Sequence, residues 1–129
     1  MSDVPILIVD DNPLNSKLTR LALQDRGFEV RTASSAADAL NVLRTYAPHA
    51  ILMDLQLPDM DGFQLTRILK GDPATSGIVI VALTAYAMKG DERRAYDAGC
   101  DGYIAKPIDT RTLASRLMAL LPPAKGETG

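Results

Sequence analysis

Ile6-Leu7-Ile8-Val9-Asp10-Asp11-Asn12-Pro13 reads as a buried strand running straight into a helix. Four consecutive aliphatic residues leave no polar face, so the strand must be covered on both sides, as in a parallel sheet. Asn12 supplies an N-cap, and Pro13 suits the first helical position, whose N–H has no intrahelical partner. Behind them Leu14, Leu18, Leu21 and Ala22 recur at helical spacing, which predicts one buried helical face. Gly27 then stops that helix.

The same unit repeats outward along the chain. Residues 28–33 read as a second strand. Ser34 or Ser35 caps a helix with Ala36, Ala39, Leu40 and Leu43 inward, and Pro48 lies beyond its end. Ala50-Ile51-Leu52-Met53 forms a third strand ending on Asp54. A loop to Gly62 leads into a helix carrying Phe63, Leu65, Ile68 and Leu69. Residues 78–83 give a fourth strand, and residues 88–98 a weakly amphipathic helix closed by Gly99. Residues 102–105 make a short fifth strand. Asp109 or Thr110 caps a last helix with Leu113, Leu117, Leu120 and Leu121 inward. Five strands alternating with five helices predict an α/β domain, an open parallel sheet between two helical layers. Residues 1–121 form this domain; residues 122–129 hold no core-forming side chain and are expected to be a disordered polar tail.

Bulk composition removes several function classes. The 14 basic and 16 acidic residues give a net charge of -2, so direct nucleic-acid binding is disfavoured. No apolar run approaches the roughly 20 residues that span a bilayer, and residues 1–5 lack the pattern of a secretory signal. The expectation is a cytoplasmic protein without membrane insertion. The single cysteine, Cys100, forms no internal disulfide and no thiolate metal cluster, which leaves an all-oxygen metal site open.

In open α/β sheets the functional crevice lies at the carboxyl ends of the strands. The first strand ends in Asp10-Asp11, the third in Asp54, the fourth in Thr84 and the fifth in Lys106-Pro107. Three carboxylates at one edge repel one another, and a hard divalent cation such as Mg²⁺ relieves that repulsion. A carboxylate is also a competent nucleophile toward a phosphoryl group. Lys106 can pair with phosphoryl oxygens and Thr84 can donate to them. Taken singly, Asp10-Asp11 could be capping residues, Lys106-Pro107 a turn, and Thr84 a strand-end hydroxyl. Their joint placement carries the argument. His49 stands at the start of the third strand, the end opposite Asp54, and Cys100 reads as a small packed residue. The run Lys89-Gly90-Asp91-Glu92-Arg93-Arg94 is by default a solvated helix face.

Two enzyme classes fit poorly. A haloacid-dehalogenase-type phosphatase needs a second Asp two residues after the nucleophile, and that position is Gln56. A dinucleotide-binding domain wants a glycine-rich turn after the first strand, where this chain has Asp10-Asp11-Asn12-Pro13.

The segments Ile6-Leu7-Ile8-Val9-Asp10-Asp11-Asn12, Ile51-Leu52-Met53-Asp54-Leu55-Gln56-Leu57-Pro58, Asp61-Gly62, Val81-Ala82-Leu83-Thr84-Ala85 and Tyr103-Ile104-Ala105-Lys106-Pro107 resemble the receiver domains of two-component response regulators, the CheY-like superfamily. The resemblance runs from about Pro5 to Leu121. It implies a flavodoxin-like (βα)5 three-layer sandwich with strand order 2-1-3-4-5. It also implies that Asp54 is the phospho-acceptor, served by a histidine kinase or a histidine phosphotransfer protein. Asp11, Asp54 and the Gln56 backbone carbonyl would ligate Mg²⁺ (Mn²⁺ substituting), with Asp10 acting through water. Thr84 and Lys106 would bind the phosphoryl oxygens, Tyr103 would be the switch aromatic, and Pro107 would follow a cis peptide. Gln56 and Tyr86 would tune hydrolysis, Tyr86 by shielding the phosphate. Such a domain assists its own phosphorylation and slow dephosphorylation but is not a conventional enzyme. Its output is a changed surface at the fourth helix, fifth strand and fifth helix, read by a downstream protein target, with the chain a monomer or weak homodimer. Residues 84–92 resemble stand-alone regulators of the DivK type as well as receivers attached to hybrid kinases. The rival reading from another class is a phosphorylation-independent interaction module that keeps the receiver fold.

Overall fold

A computed structural model describes residues 4–84, 90–105 and 108–121. Along the chain they form β1 (Pro5–Val9), α1 (Pro13–Asp25), β2 (Glu29–Ala33), α2 (Ala36–Val42), β3 (Ala50–Asp54), α3 (Gly62–Gly71), β4 (Val79–Thr84), α4 (Asp91–Ala98), β5 (Gly102–Ala105) and α5 (Leu113–Leu120). The five strands make one parallel sheet in the order β2-β1-β3-β4-β5. This is the flavodoxin-like architecture and strand order that the receiver resemblance implies; the alternating pattern by itself predicts the open parallel sheet between helices.

Strand alternation splits the core into two layers, because successive side chains point to opposite faces. Leu7, Val9, Ile51, Met53, Ile80 and Ala82 line one face, packed with residues of α2, α3 and α4. Ile6, Ile8, Ala50, Leu52, Val81 and Leu83 line the other, against Leu23 of α1 and Leu113, Ala114 and Leu117 of α5. All residues of β3 and β4 are buried, which explains why they read as unbroken apolar runs.

Helix α1 corrects the sequence-based expectation. Leu14, Leu18 and Leu21 are exposed, at 63%, 50% and 46%, while Ser16, Thr19 and Leu23 face the protein. The two sets lie on opposite sides of the helix at 3.6 residues per turn. The short link from β1 sets the phase. Asn12 caps the helix immediately after the strand, accepting from the Leu14 and Asn15 N–H groups at 3.0 and 3.1 Å. This turns Ser16 inward, where its hydroxyl donates to the Asp10 carbonyl at 3.3 Å. A small hydroxyl with a backbone partner costs little to bury.

Two smaller corrections concern single apolar positions at the rim of a helical face. Leu40 and Ile68 are exposed at 37% and 42%, and Thr66 fills the inward position on α3 instead, donating to the Gly62 carbonyl at 2.8 Å. Ser35 caps α2 through the Asp38 N–H at 3.0 Å. Thr112, rather than Asp109 or Thr110, stands at the N-cap position of α5, without a side-chain cap hydrogen bond. The Asp109 carboxylate instead binds the Arg111 N–H at 2.9 Å in a turn that precedes the helix. Gly99 ends α4 with φ of 111°, a left-handed conformation that glycine adopts at no steric cost.

Candidate functional site: an acidic edge at the ends of three strands

Register brings the carboxylates together. Val9 pairs with Met53, so the next residues on the two strands, Asp10 and Asp54, leave the sheet side by side. Both are almost fully buried, at 3% and 5% exposure, whereas Asp11 is exposed. One carboxylate oxygen from each of Asp10, Asp11 and Asp54 lies within 4.8 Å of the others.

Local hydrogen bonds hold these side chains in place. The Asp10 N–H donates to the Ala33 carbonyl at 3.0 Å, tying the end of β1 to β2. Asp10 Oδ1 accepts the Asn12 N–H at 2.9 Å, and Asp54 Oδ1 accepts the Gln56 N–H at 3.0 Å. Both contacts are two-residue side-chain turns that a buried carboxylate at a strand end can make at once.

The loop from Asp54 to α3 is closed at its base. Gln56 and Asp61 form an isolated antiparallel bridge, and the Gly62 N–H donates to the Leu55 carbonyl at 3.1 Å. Asp61 caps α3 through the Phe63 N–H at 2.7 Å. Gly62 is required there, since a Cβ would fall 2.7 Å from both the Asp54 carbonyl oxygen and the Leu55 Cα.

Thr84 is buried at the end of β4, where Leu83 pairs with Asp54 and Thr84 with Ala105. Tyr103 pairs with Ala82 and packs, partly buried, on the α2–α3–α4 side of the sheet. Lys106, Pro107 and Tyr86 lie outside the described residues. His49 is exposed at the far end of β3, its N–H donating to the Pro5 carbonyl at 2.8 Å. Cys100 is buried, and burial pushes its thiol pKa up, opposed by the neighbouring Thr66 hydroxyl.

A groove of about 340 Å³ opens beside the acidic edge, between the start of α1 and the end of β2. Lys17, Arg20, Ser34 and Asp38 line it together with Asp10 and Asp11.

Sequence reasoning missed Asp59. Its two carboxylate oxygens accept the Ala36 and Ala37 N–H groups, each at 2.9 Å. These bonds, led by that from Ala37, hold its pKa below the ordinary carboxylate range. The partners lie more than 20 positions away in sequence, so no local pattern reveals the contact.

Three oxygen donors converging at a strand-end crevice suit a hard cation and phosphoryl chemistry. The model for the response regulator receiver domain matches residues 6–118. The chain belongs to the response regulator receiver domain family. Receivers are phosphorylation-dependent switches of two-component systems, and this one has close curated relatives. The polar-differentiation response regulator DivK of Brucella ovis is 40% identical over 119 residues, covering 92% of this chain and 97% of the relative. Among solved structures, the receiver resembles the chemotaxis response regulator CheY4 of Vibrio cholerae with a TM-score of 0.86 at 26% identity, covering 92% of this chain and 99% of that one. It also resembles the BeF3-activated DrrB receiver domain, with a TM-score of 0.82 at 27% identity and coverage of 92% and 97%. Among the described residues of this receiver, no helix is long and apolar enough to cross a membrane.

Proposed function

We propose that Asp54 accepts a phosphoryl group and that the resulting charge switches the binding surface of this receiver. The observation that carries this reading is the convergence of Asp10, Asp11 and Asp54 within 4.8 Å at the carboxyl edge of the sheet. Asp54 is also the central one, on the middle strand of the five.

The donor set fits Mg²⁺: three carboxylates offering only oxygen, at an edge open through Asp11. Asp11, Asp54 and the Gln56 carbonyl would hold the ion, with Asp10 acting through water and Mn²⁺ substituting. When bound, it offsets negative charge on the transferring group.

The chain's own residues then divide the work. A carboxylate oxygen of Asp54 forms the new bond to phosphorus while the bond from phosphorus to the donor breaks. The donor is a phosphohistidine of a kinase or phosphotransfer protein, whose imidazole nitrogen leaves with the electron pair. The Gln56 N–H, on Asp54 Oδ1, orients the carboxylate for that attack. Thr84 and Lys106 take the phosphoryl oxygens. The phosphoryl group adds about -1.5 to -2 charges in place of one.

Tyr103 then transmits the change. It lies beside Ala82, two residues before Thr84, so a shift of Thr84 alters what the Tyr103 ring packs against. The α4–β5–α5 surface is thereby biased toward a second packing that a downstream protein reads. Gln56 and Tyr86 are the positions that the family resemblance assigns to tuning hydrolysis. Residues 1–121 make up the switch, which acts in the cytoplasm as a monomer or weak homodimer.

The test is phosphorylation with acetyl phosphate and Mg²⁺, read by intact mass. A single phospho-adduct that is lost in Asp54→Ala supports the assignment. No adduct on the wild-type chain would instead favour an interaction module that signals by binding alone.

A further inference from the structure

The β3–α3 loop carries Gln56, and it is pinned at two places. At its base, Asp54 Oδ1 holds the Gln56 N–H and the Gln56–Asp61 bridge closes the loop on itself. At its tip, Asp59 grips the start of α2 through the Ala36 and Ala37 N–H groups. Only Leu57 and Pro58 lie between Gln56 and Asp59, and the proline ring fixes one of their backbone torsions.

Helix α2 has a cap of its own. Ser35 Oγ accepts the Asp38 N–H at 3.0 Å, and Asp38 Oδ2 accepts the Ser34 N–H at 3.1 Å. Asp59 takes the first two N–H groups, which neither of those contacts reaches. Its partners are backbone donors of a packed element, Ala36 being buried. A bidentate, charge-assisted contact to such donors fixes direction as well as distance.

We propose that Asp59 is a positioning residue for the divalent-cation site, clamping the β3–α3 loop to α2 so that the Gln56 peptide is held in place beside Asp54. The inference rests on the reading that the acidic edge takes Mg²⁺ through Asp11, Asp54 and the Gln56 carbonyl. Partners that orient metal ligands without touching the metal typically change affinity by 10–100-fold when removed. Asp59 acts on a single backbone ligand of the three, so the lower end applies.

The test is Mg²⁺ titration of the full chain by calorimetry, without any phosphodonor, alongside denaturant unfolding in metal-free buffer. The variants are Asp59→Ala, Asp59→Asn, Ser35→Ala and Asp54→Ala. Asp59→Ala should weaken Mg²⁺ binding by about tenfold. Asp59→Asn, which keeps one acceptor oxygen, should fall between it and wild type, and it carries the test if Asp59→Ala does not fold. Ser35→Ala removes the helix's own cap, so it should lower stability while leaving Mg²⁺ affinity unchanged. Wild-type affinity in both Asp59 variants overturns the proposal. So does an equal loss in Ser35→Ala, which would reduce Asp59 to a helix cap. Wild-type chain that binds no Mg²⁺, or binds it equally well as Asp54→Ala, overturns the metal-site reading itself and the proposal with it.

Discussion

Asp10 and Asp54 emerge side by side from adjacent parallel strands, one step beyond the Val9–Met53 pair, and both are buried. Each also spends one carboxylate oxygen on the N–H two residues onward, so neither is free to swing away from the other. This enforced proximity is what a cation would relieve.

Asp10→Asn keeps the shape and the Asn12 contact but removes a charge. If Asp10 acts on the ion through water, Mg²⁺ affinity should drop roughly 10–100-fold. Calorimetric titration checks this, and unchanged affinity would remove Asp10 from the site.

Gly62→Ala tests the close approach of α3 to the acceptor. The new methyl would meet two backbone atoms, of Asp54 and Leu55, and neither can rotate aside. Destabilisation of about 1–3 kcal/mol is expected by denaturant unfolding. The rate of phosphorylation by acetyl phosphate should fall as well, because the strain is relieved by displacing the Asp54 peptide.

Tyr46 supplies a pH signature remote from the site. Its hydroxyl donates to the carbonyls of Ile6 and Glu29, both at 3.4 Å. Burial, reinforced by the Glu29 carboxylate, pushes its pKa up to about 12. The unfolded phenol titrates near 10. The folded state therefore favours the protonated form, and Tyr46 contributes stability that is fully present below about pH 10. That stability is lost as pH rises through about 12. Absorbance titration should show one phenol ionising late, and Tyr46→Phe should abolish that phase and flatten the alkaline fall in stability.

The two faces of α1 give a direct stability contrast. Leu23→Ala should cost about 2–5 kcal/mol, because Leu23 is fully buried between α1 and the sheet. Leu18→Ala should change stability by less than about 0.5 kcal/mol. The reversed order would restore the leucine face as the packed one.

That contrast also shows where sequence is legible and where it is not. The strands could be read directly, since β3 and β4 are buried on both faces and their runs admit no other packing. The strand-end carboxylates followed from the same reading, because in a parallel sheet every strand delivers its last residue to one edge. The phase of α1 was not legible. Periodicity marks an apolar stripe, but the Asn12-capped link from β1 set the phase and turned Ser16, bonded to the Asp10 carbonyl, inward. Asp59 was hidden for a related reason: its partners, Ala36 and Ala37, offer backbone N–H groups that no side-chain pattern records. Lys106, Pro107 and Tyr86 fall outside the described residues, so their placement stays an expectation from the motif.

The central claim is that Asp54 carries the phosphoryl group, and intact-mass analysis after incubation with acetyl phosphate and Mg²⁺ tests it most directly. The account predicts one added phosphoryl group on the wild-type chain, dependent on Mg²⁺ and absent from Asp54→Ala. An adduct that persists in Asp54→Ala, or a wild-type chain that remains unmodified, would contradict it.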